Sequence, residues 1–189
     1  MSLWGTTDGT KPKFLSDEEK KLVFANASGW VLEPGAESAR FTGNNNPDAQ
    51  PEVLVAIGNL ATSLGAATIT QVELPTSYSD GTGGNFDVLI RYNEEVTVTG
   101  NPTILITNDT PARNITATYT SGSGSNELVF RKTNAQNTVN VGDELSIVAA
   151  DPFITLAGGT IKDKGTTTDS ELNVVASVAT ASGTLTVAA

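Results

Sequence analysis

Between residues 68 and 175 the chain passes from apolar run to turn and back about every 8–12 residues, and this rhythm is the signature of a sandwich or barrel built from short strands. Phe86, Val88 and Ile90 alternate with Asp87, Leu89 and Arg91. Such period-two alternation puts one face inward and the other outward. Further strands are predicted over 69–74, 96–99, 103–107, 114–119, 127–131, 145–148, 154–156 and 172–175. The stretches that separate them are rich in turn residues: Gly100-Asn101-Pro102, Asn108-Asp109, residues 121–126 and 140–143, and Ala157-Gly158-Gly159. No helical periodicity interleaves with these strands, so the expected fold class is all-β and an α/β fold is excluded.

The first third of the chain reads differently. Residues 1–14 mix Gly, Thr and Pro with a lone Trp4 and lack the apolar spacing to fold alone, so they are expected to be extended. Trp4 then either packs back on its own domain or anchors in a partner's pocket. Ser16 and Glu19 have the spacing of a capping box, and Asp17, Glu18 and Glu19 suit the positive end of a helix dipole, which predicts a short helix over 17–25. Asn26 to Gly29 would stop it. A small, polar connector covers 35–50, and the continuous apolar run 51–57 predicts a fully buried strand whose sheet neighbours another subunit would supply. The expected organisation is thus an arm, short helix and docking strand over 1–65, a sandwich over 66–176, and a tail or extra hairpin over 177–189.

A chain of 189 residues accommodates one ordinary domain with extensions. It contains no cysteine, so packing or assembly must stabilise it, and no histidine, which removes the usual general base and zinc ligand together. An enzyme is therefore not expected. The net charge is −10, distributed as five basic against six acidic residues over 1–40 and six against fifteen over 41–189. Phosphate backbones are gripped by Lys and Arg, so nucleic acid is not an expected partner. No run approaches a membrane span or a signal-peptide core, so neither membrane insertion nor signal-directed export is expected.

The carboxylates Asp87, Glu94-Glu95, Asp143-Glu144 and Asp163 fall at strand ends or turns, where oxygen-ligand calcium sites form. Asp87, Glu94, Asp143 and Asp163 are the calcium candidates. A dispersed acidic surface that favours solubility is the preferred reading, with no cofactor expected. Glycoside hydrolysis would need two carboxylates about 5–10 Å apart in a cleft, and nothing in the sequence suggests a cleft. The sequons at Asn26, Asn108 and Asn114 are read as chance matches, and residues 121–125 lack the Lys of a phosphate loop.

The stretch Phe86-Asp87-Val88-Leu89-Ile90-Arg91-Tyr92-Asn93-Glu94-Glu95-Val96-Thr97-Val98-Thr99-Gly100-Asn101-Pro102 resembles the immunoglobulin-like repeats of large bacterial surface proteins. The match continues through Ala117-Thr118-Tyr119-Thr120-Ser121-Gly122-Ser123-Gly124-Ser125, Leu128-Val129-Phe130, Gly142-Asp143 and residues 154–163. It departs where the repeats carry Asp-x-Ala-Gly-Asn and this chain has Asp163-Lys164-Gly165-Thr166. Residues 3–8, 11–15, 29–31 and 51–57 resemble the starts of small virion proteins of T-even-related marine cyanophages. Together the resemblances imply an immunoglobulin-like β-sandwich with an extended N-terminal arm containing one short helix, carried by a virion structural protein.

The function expected from them is that of a capsid decoration or cement protein of a tailed bacteriophage, located in the virion. A tail or neck protein, or an adhesion or carbohydrate-binding module, is the alternative. The major capsid protein and further copies of the chain are the expected partners, with a host-surface glycan as a second class. Trp4, Phe14, Leu22, Phe24, Trp30, Val53, Val55 and Ile57 are the expected interface residues. Tyr78, Tyr92, Tyr119 and the two Trp are the aromatics available to stack on sugar.

Overall fold

A computed structural model describes residues 11–26, 29–36, 46, 49–56, 66–80 and 84–189. Trp4 and Ile57 lie outside the described residues.

The elements, in order, are α1 (Asp17–Lys21), β1 (Val23–Asn26), β2 (Gly29–Leu32), β3 (Glu52–Ala56), β4 (Ile69–Glu73), β5 (Phe86–Thr99), β6 (Thr103–Asn108), β7 (Ile115–Ser121), β8 (Ser125–Lys132), β9 (Glu144–Ser146), β10 (Ile154–Thr155), β11 (Thr160–Asp163), α2 (Ala176–Ala181) and β12 (Thr184–Thr186). The protein is all-β with two short helices among the described residues.

Hydrogen bonding runs in one path, β12-β9-β6-β7-β8-β5-β1-β2-β3, with β10 added to β6 and both β4 and β11 added to β5. Almost every pairing is antiparallel; β1 meets β5 in parallel at Ala25 and Glu94. Val72 of β4, Phe86 and Ile90 of β5, Ile106 of β6, Leu128 and Phe130 of β8 and Leu185 of β12 belong to one buried cluster. A flat sheet could not bring strands from its far end onto the same core, so the path curls back upon itself.

β5 organises the body. Its inward positions Phe86, Val88, Ile90, Tyr92, Val96 and Val98 are buried, as the alternation requires. The predicted strands 86–91 and 96–99 are thus one continuous strand of 14 residues. Its first half is flanked by β4 and β8, and its second half takes β11, with Val98 opposite Ile161. The turn from β5 to β6 leans on the turn before β11. A Cβ on Gly159 would come 2.1 Å from the Thr99 carbonyl oxygen, so only glycine fits there.

Three expectations are corrected. The capping box is present, with the Ser16 N–H donating to Glu19 Oε2 at 2.8 Å and the Glu19 N–H to Ser16 Oγ at 3.3 Å. The helix nevertheless ends at Lys21 instead of continuing to 25. Residues 23–26 pair with 29–32 as a hairpin, which buries Val23, Phe24 and Ala25. A single turn of helix has little cohesion of its own, and the β-branched and aromatic side chains gain more by pairing. Secondly, the N-terminal arm is folded rather than extended from Leu15 to Leu32, while residues 1–10 of the stretch expected to be extended lie outside the described residues. Leu15, Val23, Ala25, Trp30 and Leu32 form a second buried cluster, and β1 joins the leader to the body.

Thirdly, the run 51–57 is not a fully buried strand. β3 pairs with β2 at the end of the sheet path and is exposed at Glu52, Val53 and Ala56. An uninterrupted apolar run does not by itself distinguish a central strand from an edge strand. Residues 172–175 form no strand, although Val174 bridges to Ala150. The stretch expected as a tail or hairpin instead holds α2 and β12, whose Leu185 completes the main core against β9.

Candidate functional site

The seam between the β1–β2 hairpin and the body gathers a cluster of half-buried charges. Arg91, at an outward position of β5, has a side chain only 15% exposed. Its guanidinium meets Glu73 on β4 at 2.9 Å, Glu127 on β8 at 2.8 Å and Glu33, just beyond β2, at 3.4 Å. Glu33 Oε1 also accepts from the Asn126 amide at 2.6 Å. Burial pushes the Glu33 carboxyl above its usual range, and the positive charge of Arg91 opposes that rise. One cation therefore ties the leader to two strands of the body.

A second pair lies where β1 touches β5. Glu94 and Asp163 are 6% and 5% exposed and occupy inward positions on adjacent strands. Asp163 stands opposite Val96, and the Lys164 N–H donates to the Glu95 carbonyl at 2.9 Å, which sets the end of β11 beside residues 94–96. Asp163 Oδ1 accepts from the Ala67 N–H at 2.9 Å and the Ser170 hydroxyl at 2.8 Å. Glu94 Oε1 is buried and accepts no hydrogen bond. Burial first, and the nearby Asp163 charge second, raise the Glu94 carboxyl to about 8. The Tyr92 hydroxyl donates to the Glu171 carbonyl at 3.1 Å, and burial and the Asp163 charge hold it in the neutral form.

The four calcium candidates therefore separate. Glu94 and Asp163 come together, whereas Asp87 is taken by Arg131 in a two-pronged pair at 2.6 Å. Asp143, almost fully buried, accepts from Arg113, from the Asn108 amide at 2.7 Å and from the Asn140 N–H at 3.0 Å. Those hydrogen bonds, the one from Arg113 foremost, hold its carboxyl well below the usual range. Among the described residues no group of three or more His, Cys, Asp or Glu side chains is arranged to hold a metal ion.

The expected interface residues also divide. Phe24 and Trp30 are 2% exposed, inside the chain's own fold, so neither presents surface to a partner. Leu22 and Val55 are partly buried against the leader's cluster. Phe14 at 50% and Val53 at 47% remain open. Of the aromatics considered for sugar, Tyr78, Tyr92 and Trp30 are buried, and Tyr119 packs edge-on against Phe130 with its hydroxyl accepting from the Ser123 N–H. A groove of about 310 Å³ between α1, β4 and α2 is lined by Lys11, Lys20, Lys21, Thr70 and Gln71, and Asp17 is the one carboxylate among its described lining residues. It does not present the carboxylate pair of a glycosidase.

The inward parity Phe-x-Val-x-Ile-x-Tyr-x-Glu-x-Val-x-Val in β5 was the available sign that Glu94 is buried. The Arg91 cluster left no comparable sign, because its carboxylates lie far apart in sequence.

Searches against family models, curated proteins and solved structures return no match for this chain.

Proposed function

We propose that this chain is a non-enzymatic structural protein of a tailed-phage virion, a decoration protein whose body is an immunoglobulin-like sandwich and whose leader carries the contact to neighbouring subunits. The observation that carries this reading is β3. It ends the sheet path, has one strand partner among the described residues, and exposes Val53 and Ala56. An edge strand with exposed apolar side chains can accept a strand from a neighbour, the main chain supplying affinity and alternate side chains supplying specificity. Phe14, also open, adds apolar surface on the leader.

The acidic body supports the same reading. It disfavours contact between bodies and leaves the nearly neutral leader as the part of the chain best suited to approach another copy or the capsid shell. The antiparallel strands of the body and their single core are compatible with an immunoglobulin-like sandwich, as are the residue matches from Phe86 to Asp163.

Particles assembled with Val53→Asp should carry much less of this chain than wild-type particles, while the free variant keeps its β-rich circular dichroism. Full occupancy of the variant would remove β3 from the contact. Electron microscopy that placed the chain in a bacterial envelope instead of a particle would overturn the virion reading altogether.

A further inference from the structure

Glu94 and Asp163 are buried on adjacent strands, and the cations nearest to them in the chain are committed elsewhere. Lys164 Nζ binds Glu95 Oε1 at 3.0 Å and the Gly124 carbonyl at 2.9 Å. Lys162 goes to Asp169 at 2.5 Å, and Arg91 is shared among Glu33, Glu73 and Glu127. Asp163 has its Oδ1 satisfied by two donors, whereas Glu94 Oε1 is enclosed and unpartnered. An enclosed carboxylate oxygen with no donor loses its hydration and gains nothing in return. Either a proton on Glu94 or a small cation can fill that gap.

We infer that Glu94 and Asp163 form a site for one hard divalent cation of the calcium class, held between β5 and β11 at the point where β1 joins the body. Carboxylate oxygens are the ligands such ions prefer, and above about pH 8, where Glu94 ionises, the pair brings two negative charges to one place. Since no third carboxylate joins them among the described residues, main-chain oxygens and water must complete the shell. Sites of low ligand charge bind calcium with a Kd of about 10⁻⁴–10⁻³ M. A bound ion here would fasten four separate segments: β5 through Glu94, β11 through Asp163, and the Ala67 and Ser170 loops through the hydrogen bonds to Asp163.

The test uses the full-length chain, thermal melting and terbium luminescence. Calcium chloride at 10 mM, compared with EDTA at pH 8.5, should raise the melting temperature by a few degrees in a saturable way. Terbium should bind the same site and emit under excitation of Tyr92, whose ring lies close enough to feel the Asp163 charge. Glu94→Gln, which keeps the side-chain shape, should abolish both responses, whereas Glu144→Gln, at an exposed position, should leave them intact. The inference is overturned if the wild type shows no saturable response, or if Glu94→Gln responds as the wild type does. It is equally overturned if Glu94 is seen by NMR to titrate unchanged in the presence of calcium, since the pair then holds only a shared proton.

Discussion

Arg91 reaches Glu33 across the boundary between body and leader at 3.4 Å, and the Asn126 amide holds the same carboxylate at 2.6 Å. Removing the cation strands a carboxylate whose side chain is 12% exposed, together with those of Glu73 and Glu127. Arg91→Met should therefore cost about 2–4 kcal/mol in urea denaturation, as expected for breaking a largely buried pair from one side. Adding Glu33→Gln to that variant should recover part of the loss, and a double-mutant cycle measures how much. Strict additivity would show that the two residues are not coupled.

Glu94 gives a dependence on alkaline pH in metal-free protein. Its folded value, about 8, lies above the ordinary 4.5, so the folded state holds a proton that the unfolded chain has released. Stability from this group is complete below pH 4.5 and is lost as pH rises through about 8, at up to about 1.4 kcal/mol per pH unit. Glu94→Gln should flatten that slope in EDTA. A wild-type slope that persists unchanged in the variant would assign the effect to other groups.

Asp143 works in the opposite sense. Its carboxyl is held below the usual range, so its contribution is present above pH 3.8 and disappears as pH falls toward the folded value. Asp143→Asn should lower stability at pH 7 by about 2 kcal/mol, because the Arg113, Asn108 and Asn140 donors lose an ionised acceptor. Below pH 3 the gap between variant and wild type should narrow, which acid melting curves will read.

Gly159→Ala should destabilise the turn that brings β11 against β5, since the new methyl would meet the Thr99 carbonyl at 2.1 Å and that oxygen belongs to the backbone. A loss above about 1 kcal/mol is expected. A neutral result would mean that the Thr99 to Gly100 turn moves freely.

Much of the body was legible because β6, β8 and most of β5 and β7 follow a period of two, and that period reports directly which side chains are buried. The capping box at Ser16 was legible for a similar reason: its hydrogen bonds are local. What followed it was not. Whether Val23 to Asn26 continue a helix or form a strand is decided by residues 29–32 and by Glu94, at a distance no local pattern records. The same holds for α2 and β12, where small residues fit several conformations and contact with β9 selects one. Of the acidic residues, Glu94 and Asp163 were named as candidates, but that they meet while Asp87 and Asp143 go to arginines depends on strand pairing between distant segments.

The arrangement around β5 also fixes an order of events during synthesis. β5 leaves the ribosome before β8 and well before β11, yet both flank it, and β6 similarly precedes its partners β9 and β10. Until Thr160 to Asp163 have emerged, the second half of β5 has an unpaired edge displaying Val96 and Val98. The hairpin of β1 and β2 is made first but cannot settle until β5 arrives. The nascent chain therefore spends most of its translation with open strand edges, a state exposed to aggregation, and closes its core only after nearly all its strands are available.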